Sequence, residues 1–154
     1  DRAVEKWIEF IDRQNIEQIC CLLTARQLER YHTNLLDRYH QKFGEDRVCW
    51  APIRDFHLCE LSMLTGQILP FLATADRASR KVVVHCSGGI GRTGHILAAW
   101  LVYKYQYSNR EAISTVINMR RNPYEAALFG VFCGKNIVTS IQELNLLLDH
   151  CRSI

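Results

Sequence analysis

An α/β fold, a central mostly parallel sheet flanked by helices, is what this sequence predicts, and three observations predict it. Segments with apolar residues at helical spacing alternate with short runs of buried-type residues. One such run, Val82-Val83-Val84, shows no in–out alternation, the mark of a strand buried on both faces. It leads through a glycine-rich turn into residues 92–106, apolar almost all round, which read as a central buried helix.

The elements follow in order. Val4, Trp7, Ile8 and Ile11 recur at helical spacing, so residues 2–14 form an amphipathic helix. Residues 16–23 read as a strand and residues 28–43 as a polar helix with scattered apolar positions. Residues 47–53 are a short strand, with Asp46 at its opening, stopped by the loop from Pro52 to His57. Leu61, Leu64, Ile68 and Leu72 mark a helix that Pro70 must kink or shorten. Asp76 lies on that helix, which leads into the strand over residues 81–85. Ser108 and Glu111 form a capping box for a helix with Ile113, Val116 and Ile117 inward. Asn122-Pro123 ends it. Ile137, Ile141, Leu144, Leu148 and Cys151 line the inner face of a last amphipathic helix.

At 154 residues, 48% hydrophobic and 23% charged, the chain is one domain's worth, residues 1–154. That composition excludes disordered and low-complexity classes. No apolar run reaches the length of a membrane span, and no signal peptide is visible. Position 1 is not Met, as in an excised domain or mature fragment. The net charge of +3 suits a small anionic substrate and is too weak to argue for nucleic acid. Seven cysteines, an odd number with no CxxC pair, argue against a disulfide framework or zinc knuckle and for reduced thiols in the cytoplasm. No metal or organic cofactor is expected, and a monomer is favoured.

The segment His85-Cys86-Ser87-Gly88-Gly89-Ile90-Gly91-Arg92-Thr93-Gly94 carries the chemistry. A glycine-rich turn between strand and helix lets successive backbone N–H groups of Ser87, Gly88, Gly89, Ile90 and Gly91 point inward as an anion nest. The helix N-terminus adds partial positive charge, and the glycines permit positive φ and close approach. Arg92 can grip two phosphate oxygens. Cys86 sits at the mouth, where the same donors favour its thiolate, an in-line nucleophile that passes through a phosphocysteine. Thr93 can hydrogen-bond the sulfur and help it leave; His85 can orient the loop backbone. The structural alternative is a glycine turn with a buried Cys.

These residues resemble the H-C-x5-R-[ST] signature of the cysteine-dependent protein tyrosine phosphatase superfamily, and the chain as a whole resembles its compact dual-specificity branch. The order of helices and strands from about residue 2 to 151 is compatible, with the family's opening strand or strands shortened or diverged. The resemblance implies a metal-independent phosphomonoester hydrolase acting on phosphotyrosine proteins, and on phosphoserine and phosphothreonine where the cleft is shallow. It also implies a general acid on a mobile loop, since the leaving oxygen needs a proton at neutral pH. Asp55, in Pro52-Ile53-Arg54-Asp55-Phe56, fits that loop, whereas Asp37, Asp46, Glu60 and Asp76 sit less suitably. The Trp-Pro-Asp triplet of the classical enzymes is absent. Arg121, with Arg120 second, stands where relatives contact substrate, although a helix C-terminus favours arginine anyway.

Other functions weigh less. Phosphoinositide phosphatases of the superfamily carry lysines inside the loop, and none is present here. An RNA 5′-phosphatase would want an aromatic and basic stripe. A non-catalytic phospho-binding module would lack the Cys or the Arg, and a sulfurtransferase lacks this glycine spacing. His32, His40, His57, His95 and His150 show no metal-ligand spacing; His57 is placed to line the site entrance. Trp7 and Trp100 fit core faces. Cys20, Cys21, Cys49, Cys59 or Cys133 could trap an oxidised Cys86 if one lay close.

Overall fold

The structure, a computed structural model, describes residues 2–154. Its sheet has three parallel strands, β1 (Gln18–Cys21), β2 (Val48–Trp50) and β3 (Val82–His85), in the order β2-β1-β3. Ile19 stands opposite Val48 and Val83, and Cys21 opposite Trp50 and His85. Side chains alternate along β1, and that alternation divides the core. Ile19, Cys21 and Leu23 face α1 (Arg2–Arg13) and α3 (Leu35–Phe43), which supply Val4, Ile8, Ile11, Leu35 and Tyr39. Α2 (Ala25–Leu28) is a single turn between β1 and α3. Cys20 and Leu22 face the other way, towards α5 (Leu69–Arg77), α6 (Gly91–Tyr105), α7 (Asn109–Asn118) and α9 (Ile137–Arg152). The short α4 (Leu61–Met63) precedes α5, and α8 (Leu128–Phe132) precedes α9.

Several expectations are corrected. The strand expected over 16–23 is β1 over Gln18–Cys21, and that over 47–53 is β2 over Val48–Trp50, with hydrogen bonds continuing past the strand ends to Leu22 and Ile53. Asp46 lies in the 3₁₀ turn Glu45–Arg47 before β2 rather than at the strand's opening. The helix read over 28–43 is two helices, because a capping interaction at Thr24 starts one early and Asn34 caps a second through Leu36 and Asp37 N–H. The strand fully buried on both faces is β1; Val82, Val83, Val84 and His85 are half-buried, since β3 lies at the sheet edge. Pro70 does not end its helix. A π turn, Leu64–Ile68, precedes it and carries the chain into α5, a widening that accommodates a ring with no N–H to donate. Ile117 and Ile137, expected inward, are 43% and 57% exposed. Trp100 and Trp7 are only partly buried against the two core clusters.

The central helix forms, and from Gly91 to Ile96 every residue of α6 is buried, but Lys104 and Tyr105 at its far end are exposed. The capping box also forms, with Glu111 accepting from Ser108 N–H at 2.9 Å and Ser108 Oγ accepting from Glu111 N–H. No helix among the described residues is long and apolar enough to cross a membrane.

Candidate active site

Residues 86–90 link the C-terminal end of β3 to the N-terminus of α6, where the first N–H groups of the helix have no intrahelical acceptor. Gly89 is the loop glycine whose backbone demands it, with φ +66°. Gly88 has neither a positive φ nor a crowded neighbour, so nothing in its surroundings requires a glycine. Gly91 and Gly94 serve packing instead. A Cβ on Gly91 would stand 3.1 Å from Ala126 N, and one on Gly94 3.0 Å from Pro123 N. The 3₁₀ turn Pro123–Ala127 thus lies directly against the start of α6. Ile90, at the helix cap, is exposed.

Two donors converge on the Cys86 sulfur. Gly89 N–H donates to Sγ at 3.1 Å, and Thr93 Oγ1 donates at 3.3 Å. Burial pushes the Cys86 thiol up, but the Thr93 hydroxyl and N–H, the Arg92 charge and Gly89 N–H outweigh it and hold the thiol below its ordinary value.

Arg92 is buried and its fork is largely committed. Nη1 donates to Gln27 Oε1 at 2.8 Å and to Ile53 O at 3.0 Å, and Nη2 donates to Ser87 Oγ at 2.7 Å. Nε is buried with no hydrogen-bond partner. Asp55 Oδ1 stands 3.4 Å from it, on a side chain that is half exposed. The structure therefore brings Asp55 to the loop. Arg121 lies beyond the end of α7, where Arg120 adopts φ +59° and Arg121 N–H caps Val116 O. Its guanidinium carbon is 4.0 Å from the Cβ position of Gly89, and it shares a cleft of about 440 Å³ with Cys86, Gly88 and Gly89. Trp7, Tyr31 and Tyr39 form the far wall of that cleft, so Trp7 is a lining residue as well as a core one.

Two supports escaped sequence reasoning. Gln27, which receives Arg92, also accepts from Thr24 N–H at 3.2 Å. The signal was present: Thr24-Ala25-Arg26-Gln27 has the spacing of a capping box. Beneath the loop, Trp7 Nε1 donates to the Tyr39 hydroxyl at 2.8 Å, and that oxygen lies 3.2 Å from His85 Nε2. Desolvation pushes His85 down to about 4, so the ring is neutral and shares a hydrogen bond with the Tyr39 hydroxyl.

His57 is not at the entrance. Its ring stacks on Phe129 at 4.0 Å, and its Nδ1–H donates to Asp55 O at 2.7 Å. Phe129 N–H in turn donates to Phe56 O, so α8 braces the loop that bears Asp55. All seven cysteines are free; Cys20, Cys21, Cys49 and Cys59 are buried and Cys133 is exposed. Burial pushes Cys21 and Cys59 up to about 11 and 12, which keeps both as unreactive thiols.

Comparison with known proteins gives a consistent picture. The sequence profile of the family described as "Dual specificity phosphatase, catalytic domain" matches residues 7–129. The chain is 30% identical over 121 residues to cyclin-dependent kinase inhibitor 3 of Rattus norvegicus, covering 77% of this chain and 56% of that protein. It is 33% identical over 99 residues to phosphatidylinositol 3,4,5-trisphosphate 3-phosphatase cnrN of Dictyostelium discoideum, covering 62% of this chain and 15% of that one. It therefore spans about half the length of the first of these relatives, and much less of the second. Among solved structures, Tk-PTP in a glycine-to-alanine mutant form superposes with a TM-score of 0.70 at 26% identity, covering 97% of this chain and 84% of that one. Kinase associated phosphatase, with its catalytic-site cysteine substituted by serine, gives 0.64 at 28%, covering 71% and 61%.

Proposed function

The chain belongs to the dual specificity phosphatase family, which makes it a hydrolase, and from that membership we propose that it removes phosphate from phosphotyrosine proteins, and from phosphoserine and phosphothreonine proteins, without a metal. The observation that carries the reading is the set of donors around one sulfur: Gly89 N–H and Thr93 Oγ1 on Cys86 Sγ, with Arg92 hydrogen-bonded to Ser87, Gln27 and Ile53 beside them.

In the first step the Cys86 thiolate attacks phosphorus and the bond to the leaving oxygen breaks. Asp55, protonated, gives that oxygen its proton. The loop N–H groups of residues 87–91 and Arg92 hold the three equatorial oxygens, on which charge spreads in the transition state. Two Arg92 donors are left without a hydrogen bond for this, a second Nη2–H and Nε–H, the latter facing the Asp55 carboxylate at 3.4 Å, because Gln27 and Ile53 occupy Nη1 and Ser87 takes one Nη2–H. In the second step water attacks the phosphocysteine, Asp55 takes its proton, and the sulfur departs with the Thr93 hydroxyl stabilising its charge. Arg121, above the loop, contacts the phosphorylated segment.

The loop interior favours protein monoesters over polyphosphorylated inositol lipids, since Ser87, Gly88, Gly89, Ile90 and Gly91 offer no side-chain cation for extra phosphates. Hydrolysis of phosphotyrosine and phosphothreonine peptides in EDTA tests the proposal, alongside vesicles containing phosphatidylinositol 3,4,5-trisphosphate. We expect peptide turnover that vanishes in Cys86→Ser and drops about 100-fold in Asp55→Ala. Turnover of the lipid alone overturns the substrate assignment. Phosphate binding without turnover of any ester overturns the enzymatic one.

A further inference from the structure

The loop that bears Asp55 is a short span whose two ends are anchored to the same helix, while Phe56 between them is held to α8. Upstream, Ile53 N–H donates to Leu22 O at 3.1 Å, and Ile53 O accepts from Arg92 Nη1 at 3.0 Å. Downstream, Cys59 N–H donates to His95 Nε2 at 3.0 Å. Only residues 54–58 lie between these anchors. Arg92 and His95 are three positions apart on α6, neighbours on one helix face.

His95 is fully buried and carries a fixed tautomer. Its Nδ1–H donates to Gly91 O at 3.2 Å, which leaves the Nε2 lone pair for Cys59. Burial and the nearby Arg92 charge push it down to about 4, so it stays an acceptor at neutral pH. Gly91 is the last residue of the phosphate loop before Arg92. One imidazole therefore joins the backbone of the phosphate loop to the backbone at which the acid loop ends.

We propose that His95 is a positioning residue for the general acid: through Cys59 it fixes where the acid loop ends and hence where Asp55 stands relative to a phosphate on Cys86. It touches neither substrate nor sulfur. The proposal rests on the acid role given to Asp55 above.

The test separates acid positioning from general damage by varying the leaving group. Phenyl phosphate leaves as a strongly basic oxygen and needs the acid, whereas 4-nitrophenyl phosphate needs it little. With Asp55→Asn, kcat/KM should fall about 100-fold on phenyl phosphate and far less on 4-nitrophenyl phosphate. His95→Phe keeps a ring of similar size without the acceptor, and His95→Asn keeps a polar group too short to reach Cys59, in case the first does not fold. Either should lose about 10-fold on phenyl phosphate, within about 2-fold on the nitrophenyl ester, and little more when added to Asp55→Asn. The pH profile of Cys86 alkylation by iodoacetamide should be that of the wild type. Equal losses on both esters, or losses that multiply with Asp55→Asn, overturn the proposal. An Asp55→Asn enzyme with full activity on phenyl phosphate would instead overturn the acid assignment, whatever the His95 variants do.

Discussion

Thr93 and Gly89 act on one atom, the sulfur of Cys86, and the side-chain part of that action can be removed without disturbing the backbone. Thr93→Val keeps the shape and deletes the hydroxyl that donates to Sγ at 3.3 Å. Since that bond is among the influences lowering the thiol, its loss raises the pH at which Cys86 ionises and reduces the thiolate present at neutral pH. We expect the iodoacetamide profile to move to higher pH and phosphocysteine hydrolysis to slow about 10-fold, read as a burst of aryl alcohol before slow turnover. Gln27→Leu makes a second prediction at this scale. It leaves Arg92 Nη1 with Ile53 O alone, so the guanidinium loses part of its orientation, and kcat/KM should fall about 10-fold on aryl phosphates of every leaving-group basicity. The loop that joins Cys86 to Arg92 and Thr93 was legible from sequence as a candidate site because its residues are contiguous. The approach of Asp55 to Arg92 was expected only through resemblance, since nothing local distinguishes it from a turn residue. Gln27 was legible as the far end of a capping box, but its bond to Arg92 and that of His95 to Cys59 were not, because each partner is more than 30 residues away.

At the scale of elements, the start of α6 and the 3₁₀ turn Pro123–Ala127 meet through glycine. Gly94→Ala removes the cost of a glycine within a helix, about 1 kcal/mol. It also places a methyl 3.0 Å from Pro123 N and 3.2 Å from Asn122 C, backbone atoms that cannot swing aside. The clash wins, and we expect a net loss of about 1–3 kcal/mol, seen as a lower urea midpoint. Gly88→Ala meets neither a neighbour nor an unfavourable φ, so its stability should stay within about 0.5 kcal/mol of wild type. The helices were legible where one face carries the apolar residues, as in α1, and where caps are local, as in α7. The π turn before Pro70, the edge position of β3 and the bracing of the Asp55 loop by α8 come from tertiary contacts that periodicity does not encode.

Across the whole molecule, the two faces of β1 gather two cores, and each holds a neutral histidine at the site: His85 beside Trp7 and Tyr39, and His95 among the residues around α6. Both rings are pushed down to about 4 from an ordinary 6.5. Between those values the unfolded chain binds protons that the folded chain does not, so stability is full above about pH 6.5 and falls as pH drops towards 4. The loss amounts to at most about 3 kcal/mol for each ring, and urea midpoints measured across that window should show it. A His95→Asn variant should show a shallower slope. The α/β class and the order of helices about a parallel sheet were legible because strand runs and helix periods differ so plainly. The strand order was not, because it is set by which edges the helices cover. The most direct test of the whole account is to mix Thr93→Val enzyme with phenyl phosphate in EDTA, quench it in acid within the first turnover, and weigh the protein and its peptides. A single added phosphoryl group on Cys86 is the predicted result; turnover with no phosphorylated Cys86 at any time, and surviving in Cys86→Ser, would contradict it.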